Sequence, residues 1–170
     1  MPKVEGQPTA FESLWAPWRS VYIEQARRGR QRCIFCHAKR SRDDGAVYVI
    51  YRGRLAFALL NRYPYNNGHL MVTLYRHVAT LSQLTRQEAT ELIQVTTKMI
   101  DRLTRVLRPH GFNLGMNLGQ VSGAGIPGHL HLHIVPRWRG DTNFMPVVGG
   151  TKIISHALDA LYQRLTQARR

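Results

Sequence analysis

The segment "PGHLHLHIVPRW" (Pro127–Trp138) constrains the fold more than any other part of the chain. Its histidines alternate strictly with leucine and isoleucine. Because residues i, i+2 and i+4 of a β-strand share one face, this alternation predicts a strand with imidazoles on one side and core residues on the other. The three histidines are His129, His131 and His133.

The spacing of these histidines divides their roles. On an extended strand, His129 and His133 stand about 13 Å apart, which is too far for all three rings to bind one metal ion. One or two could bind a metal, while another acts as a nucleophile or proton carrier near neutral pH. A site in which these histidines only bind a metal ion is a remaining alternative. A purely structural role for all three histidines, on a partly buried sheet, is disfavoured by their strict alternation and by the neighbouring Arg137. The preceding glycine-rich loop also disfavours it, because its backbone N–H groups suit phosphate oxygens.

The rest of the chain predicts an α+β domain, with an antiparallel sheet of about five strands and helices on one side. Apolar or alternating runs predict further strands at 47–51, 55–60, 69–74 and 112–119. A capping box at Thr85 and Glu88 begins a long amphipathic helix that ends before Pro109. A closing helix is predicted from Ile153 to about Ala168.

The composition of the chain limits which binding partners and which cellular location we expect. The 170 residues suit one domain, without an apolar run long enough to span a membrane and without the apolar segment of a signal peptide at the N-terminus. We therefore expect a cytoplasmic protein with no membrane partner. The formal net charge of +14 favours anionic partners, namely nucleotides, nucleic acid or anionic lipid. The basic runs are short and lack interleaved aromatics, which favours solvated surface over a dedicated nucleic-acid patch.

The two cysteines, Cys33 and Cys36, form a CxxC motif. This spacing suits a metal knuckle or a redox pair better than a secreted disulfide framework. Zinc prefers four ligands in a tetrahedron, and the motif supplies two of them. The motif alone leaves a zinc site, a redox pair and a plain core position open.

The segment "HLHLHIV" resembles the signature of the histidine triad (HIT) family of nucleotide hydrolases and transferases. Residues 56–81 and 112–138 are similar to the two halves of the family domain. The stretches "LWAPWR" and "GDTNFMPV" resemble the branch that contains bacterial diadenosine tetraphosphate phosphorylases and hydrolases. The resemblance implies a HIT-like fold and a homodimer. We divide the chain into an N-terminal arm with a basic linker (1–32), a HIT domain with a zinc knuckle (33–138) and a C-terminal extension with a helix (139–170).

The resemblance implies an enzyme that cleaves dinucleoside polyphosphates, such as diadenosine tetraphosphate, and handles AMP, ADP or ATP. His131 would attack the α-phosphorus and form a covalent nucleotidyl-histidine, and His133 would hydrogen-bond the phosphate oxygens. Phosphate would then complete a phosphorylase (ATP adenylyltransferase) reaction, and water a hydrolase reaction. A neutral imidazole is a competent nucleophile at pH 7, which agrees with this mechanism.

The resemblance also implies nucleotide contacts. Asn61 corresponds to a ribose contact and Asn117 to a polar group beside the phosphates, while His69 is either a pocket residue or a buried support. Other branches carry Gln and Ser or Thr shortly before the triad, where this chain has Gly125 and Ile126. This difference favours phosphate binding by backbone and a transferase. The predicted nucleotide contacts are Asn61, His69, Asn117, Gly123 and Gly125.

Family members with this CxxC are similar to galactose-1-phosphate uridylyltransferase in their metal ligands. The resemblance implies a structural zinc ion held by Cys33, Cys36, His77 and His129. The three remaining histidines, His37, His110 and His156, are predicted to be surface residues.

Two other functions stay open from the sequence. One is a zinc-containing module that binds nucleic acid, or an aprataxin-like deadenylase. The other is a nucleotide-binding scaffold without turnover. The enzyme is favoured because no stacking or finger motif for nucleic acid is evident in the sequence.

Overall fold

The structure is a computed structural model that describes residues 33–141 and 157–168. The predicted N-terminal arm (1–32), the segment 142–156 and residues 169–170 lie outside the described residues. His156 and the start of the predicted closing helix fall in this outside part. Within the described residues, no helix is long and apolar enough to cross a bilayer.

The described residues form one five-stranded antiparallel sheet with three α-helices, so the predicted α+β class is confirmed. The strand order across the sheet is β1-β2-β3-β5-β4. The strands are β1 (Val49–Arg52), β2 (Ala56–Leu60), β3 (Leu70–Leu74), β4 (Gly111–Gly115) and β5 (His131–Arg137). The helices are α1 (Ile34–Arg40), α2 (Arg86–Leu107) and α3 (Leu158–Gln167).

Local sequence signals explain the boundaries of α2. Thr85 is the N-cap, and its side chain accepts a hydrogen bond from the Glu88 backbone N–H at 3.2 Å. The Glu88 carboxylate accepts one in return from the Thr85 N–H at 2.9 Å, which completes the predicted capping box. The helix ends at Leu107, and the C-cap residue Arg108 has a left-handed backbone (φ 49°) and precedes Pro109.

The core lies on both faces of the sheet. Helices α2 and α3 pack on one face, where the apolar residues that alternate with the histidines join them in a single cluster. Helix α1, which the sequence patterns did not predict, packs on the opposite face against Phe57, Leu59 and Met71 through Phe35 and Ala38. The prediction of helices on one side only is therefore wrong for α1.

Three predicted strand boundaries differ from the structure by two residues or more. Strand β1 begins at Val49 instead of residue 47, because Tyr48 has a left-handed backbone (φ 55°) that interrupts the extended chain. Strand β4 ends at Gly115, where its pairing with β5 stops, instead of continuing to residue 119. Strand β5 begins at His131, so His129 lies just before it; the Leu130 N–H bonds to the Val78 carbonyl at 2.6 Å, beyond the end of β3.

Candidate active site and adjoining metal cluster

A cavity of about 270 Å³, here called the main cavity, opens on the face of the sheet that carries His131 and His133. Its walls are apolar where α1, β2 and β3 meet, and polar at the end of β5. This combination suits a nucleoside at one end and phosphate at the other. The polar and glycine lining residues include Asn61, Asn117, Gly123, Gly125, His131 and His133.

The ring orientation of His131 fixes its tautomer. Its Nδ1 lies 2.7 Å from the backbone carbonyl oxygen of His129. Because a carbonyl oxygen only accepts hydrogen bonds, Nδ1 carries the proton and Nε2 carries the lone pair. Burial lowers the pKa of His131, which keeps the ring neutral near pH 7. His131 therefore offers a nucleophilic nitrogen on the wall of the main cavity.

Phe35 holds the His131 ring from the side of α1. Its ring centroid lies 4.8 Å from that of His131 and 5.1 Å from that of His129. Phe35 is 1% exposed and belongs to the CxxC segment, between the two cysteines. The α1 helix therefore packs directly on two of the three triad histidines.

A hydrogen-bonded chain behind the cavity orients His133. The Tyr65 N–H donates to His69 Nδ1 at 3.1 Å, so this nitrogen is an acceptor and the proton of neutral His69 lies on Nε2. His69 Nε2 then donates to His133 Nδ1 at 2.8 Å. Neutral His133 consequently carries its own proton on Nε2, where it serves as a hydrogen-bond donor.

Asn61 supports the same chain. Its Oδ1 accepts the Tyr63 N–H at 2.9 Å, which turns its Nδ2 toward His69 Nδ1 at 3.3 Å. Asn61 also lines the main cavity, whereas His69 is fully buried and lies outside the lining. Of the predicted nucleotide contacts, Asn61, Asn117, Gly123 and Gly125 thus face the cavity, and His69 lies behind His133.

An ion pair anchors the loop that carries His69. The Arg137 guanidinium contacts the Asp141 carboxylate at 2.6 and 3.0 Å and holds the pKa of that carboxyl well below its usual range. Asp141 also accepts a bond from Asn66 Nδ2 at 2.8 Å. Sequence reasoning missed Asn66 and Asp141, because residues 75 positions apart give no local signal of their contact.

The four predicted metal ligands meet beside the main cavity. Their candidate ligand atoms lie within 4.8 Å of one another, although Cys33 and His129 are 96 residues apart. His129 Nε2 donates to the Leu74 carbonyl at 3.0 Å, so Nδ1 has the lone pair and faces Cys33 Sγ at 3.2 Å. His77 Nδ1 lies 3.2 Å from Cys36 Sγ.

This donor set fits a metal ion. Ligands of a tetrahedral zinc ion are about 3.4–3.8 Å apart, close to the separations observed between sulfur and nitrogen here. Burial lowers the pKa of His129 to about 4 and raises the pKa of the Cys33 thiol. The histidine is therefore ready to bind, while the thiols must lose their protons to a metal ion. The cluster of Cys33, Cys36, His77 and His129 can hold a metal ion.

One of the histidines predicted to lie at the surface also lines the main cavity. His37 and His110 are exposed as predicted. His37 nevertheless lines the main cavity, because α1 passes over its apolar end. Tyr65 also lines the cavity and stacks on His69 with a centroid distance of 4.7 Å. No periodic pattern in the sequence indicates either contact.

Comparison with known proteins agrees with this architecture. The HIT domain profile matches residues 46–140. AP-4-A phosphorylase of Mycobacterium tuberculosis is 42% identical over 160 residues, which cover 90% of this chain and 82% of the relative. A hypothetical histidine triad nucleotide-binding protein of Sulfolobus tokodaii has a TM-score of 0.65 at 23% identity, covering 80% of this chain and 91% of the other. A Zn-bound histidine triad family protein of Mycobacterium smegmatis has a TM-score of 0.58 at 19% identity, covering 87% and 91%.

The fold and the site define an α+β domain with histidines on the wall of a nucleotide-sized cavity. The chain belongs to the HIT family. Because this is a family of nucleotide hydrolases and transferases, the predicted enzyme class is confirmed together with the predicted family.

Proposed function

We propose that the chain cleaves dinucleoside polyphosphates of the diadenosine tetraphosphate kind at the α-phosphate, through a covalent nucleotide on His131. The tautomer of His131 carries this proposal, because its Nδ1–H bond to the His129 carbonyl leaves a lone pair on Nε2 in the main cavity. The name of the 42% identical relative, AP-4-A phosphorylase, supports the substrate class.

In the first step, His131 Nε2 attacks the α-phosphorus, and the bond from this phosphorus to the bridging oxygen breaks. The rest of the phosphate chain leaves with that oxygen. The ring gains a positive charge, which the His129 carbonyl stabilises through the Nδ1–H bond. A second nucleophile then attacks the adduct and returns His131 to its neutral form.

His133 and the glycine-rich loop stabilise the growing charge on the phosphate oxygens. The bond from His69 places the proton of neutral His133 on Nε2, so this ring can donate to the phosphate oxygens. Gly123 and Gly125 line the same end of the cavity. The missing Gln and Ser or Thr side chains at Gly125 and Ile126 leave backbone groups to bind phosphate, which supports inorganic phosphate as the second nucleophile.

We propose zinc as a structural metal in the four-residue cluster. Two thiolates and two imidazoles are the ligands that zinc prefers, and all four positions are filled by the protein, as in structural zinc sites. The ion would join α1 to the sheet beside His131. A structural neighbour described as Zn-bound supports this choice.

The test of the proposed activity uses diadenosine tetraphosphate with and without inorganic phosphate. We expect ATP with ADP when phosphate is present, and ATP with AMP if water completes the reaction. His131→Asn should abolish both, whereas the exposed control His110→Asn should retain them. Mass spectrometry of the base-quenched reaction should find a nucleotide on the peptide that contains His131. Absence of turnover, or tight salt-sensitive binding to nicked DNA with adenylate release, contradicts the proposal.

Two expectations from the sequence extend the proposal. We expect a homodimer, measured by light scattering after size exclusion, and a cytoplasmic location, measured by cell fractionation. In the described sheet, β4 is an outer strand and exposes Leu114, which is compatible with a partner chain.

A further inference from the structure

A second cavity of about 390 Å³, here called the outer cavity, lies against β4 and β5 beside the main cavity. Three residues, Tyr65, Asn117 and His133, line both cavities. His131 lines only the main cavity, and Val135 lines only the outer one. The two cavities therefore meet at His133.

Strand geometry gives the direction from one cavity to the other. His131, His133 and Val135 alternate along β5 and share one face, about 6.6 Å apart at each step. On β4, Gly115 pairs with His133 and Asn113 pairs with Val135. The outer cavity consequently continues the line of histidines away from the nucleophile.

We infer that the outer cavity binds the departing part of the substrate, which is the far nucleoside together with its phosphates. This inference rests on the proposed function. In an in-line displacement, the leaving oxygen departs on the side of the phosphorus opposite the nucleophile. Because His133 lines both cavities, the phosphate chain beyond the α-phosphate can continue from the main cavity into the outer one.

The size of the outer cavity agrees with this assignment. A dinucleoside polyphosphate carries a nucleoside at each end and therefore needs two spaces of similar size. At about 390 Å³ against about 270 Å³, the outer cavity is large enough for what the main cavity accepts.

The lining of the outer cavity combines hydrogen-bonding groups with apolar surface. Arg137 Nη1 donates to Asn113 Oδ1 at 2.8 Å, which turns the amide NH₂ of Asn113 away from Arg137 as a donor. Ser122 contributes a hydroxyl, and Val135, on the same face of β5 as His133, supplies apolar surface for a base. These groups suit a phosphorylated nucleoside better than a purely apolar ligand.

Gly115 keeps the floor of the outer cavity open. A Cβ at this residue would meet no atom within 4 Å, and its backbone is extended and unstrained. A larger side chain would point into the cavity beside His133, with no clash that disturbs the fold. Gly111, four residues earlier on the same face of β4, is equally open but does not line the outer cavity.

This pair of glycines gives a matched test. We compare Gly115→Val with Gly111→Val on two substrates: diadenosine tetraphosphate and adenosine 5′-phosphorofluoridate, whose leaving group is a single fluoride. For Gly115→Val we expect KM for the tetraphosphate to rise about 10-fold, with kcat/KM for the fluoridate within about twofold of the original. Gly111→Val should change neither. Asn113→Ala should raise only the tetraphosphate KM, by about 3- to 10-fold.

The outcomes separate the subsite from the activity itself. Turnover of neither substrate by the unaltered protein overturns the proposed function and the subsite with it. Turnover of both, with Gly115→Val and Asn113→Ala affecting the two substrates equally or not at all, overturns the subsite and leaves the proposed function standing. Turnover of the fluoridate alone contradicts the assigned substrate class and the subsite. Thermal unfolding of each variant identifies any loss of folding.

Discussion

The protons on the cavity histidines follow from which backbone groups their rings contact. A carbonyl oxygen only accepts a hydrogen bond and an amide N–H only donates one. The His129 carbonyl therefore fixes the proton of His131 on Nδ1, and the Tyr65 N–H fixes the protons of His69 and His133 on Nε2. Two neighbouring histidines on one strand thus have opposite tautomers: His131 has its lone pair on Nε2, and His133 has its proton there.

His69 is the residue through which this arrangement can be tested. Replacing it by leucine removes the donor to His133 and leaves the Tyr65 N–H without its acceptor, so we expect kcat to fall about 10- to 100-fold. Glutamine has both an acceptor and a donor, and His69→Gln should recover part of the loss. Steady-state rates on diadenosine tetraphosphate, with His110→Leu as the exposed control, measure this. An equal fall in kcat for His69→Leu and His69→Gln would show that the hydrogen bond from residue 69 to His133 does not determine the rate.

At the scale of elements, the N-terminus of α2 is tied to the segment that follows β3. The Arg76 guanidinium contacts both oxygens of Glu88, at 2.8 and 2.6 Å, and lowers the pKa of that carboxyl to about 2 with help from the Thr85 N–H. Arg76 directly precedes His77, one of the four metal-cluster residues. The same ion pair therefore caps a helix and holds the chain beside the cluster.

This carboxylate predicts a dependence of stability on pH. Because the pKa of Glu88 is lower in the folded state than in the unfolded state, its contribution is present above about pH 4.5 and is lost as the pH falls toward about 2. At pH 7, Glu88→Gln should lower the free energy of unfolding by about 1–2 kcal/mol, allowing for the exposure of Arg76. The difference between the two proteins should shrink steadily below pH 4.5. Urea unfolding at several pH values measures it, with the exposed Asp101→Asn on the same helix as control; a pH-independent difference contradicts the assignment.

The elements that were predictable from sequence are those with local signals. The alternation around His131 and the capping box at Thr85 each involve residues close in the chain, and both predictions are confirmed. Helix α1 has seven residues and no side-chain cap, so its position depends on the distant sheet, and periodicity could not find it. The outer cavity could not be predicted from sequence for the same reason, since β4, β5 and the loop around Tyr65 meet only in the folded chain.

At the scale of the whole molecule, the four-residue metal cluster connects parts of the chain that are far apart in sequence. Cys33 and Cys36 flank the start of α1, His77 follows β3, and His129 precedes β5. Between the cysteines, Phe35 packs on His131, and α1 forms one wall of the main cavity. A metal ion in the cluster would therefore support both the fold and the shape of the cavity.

Removal of the metal tests this connection directly. We expect about one zinc ion per chain in the purified protein, with its loss by a strong chelator lowering Tm by about 10 °C, because α1 is too short to hold its position alone. Chelation should also weaken AMP binding about 10-fold, measured by calorimetry, since the α1 wall of the cavity loosens. His77→Gln should reproduce both effects, and His37→Gln, an exposed histidine on α1 outside the cluster, should keep its zinc. Unchanged Tm and AMP affinity after complete zinc removal would show that α1 is held by Phe35 and Ala38 packing alone.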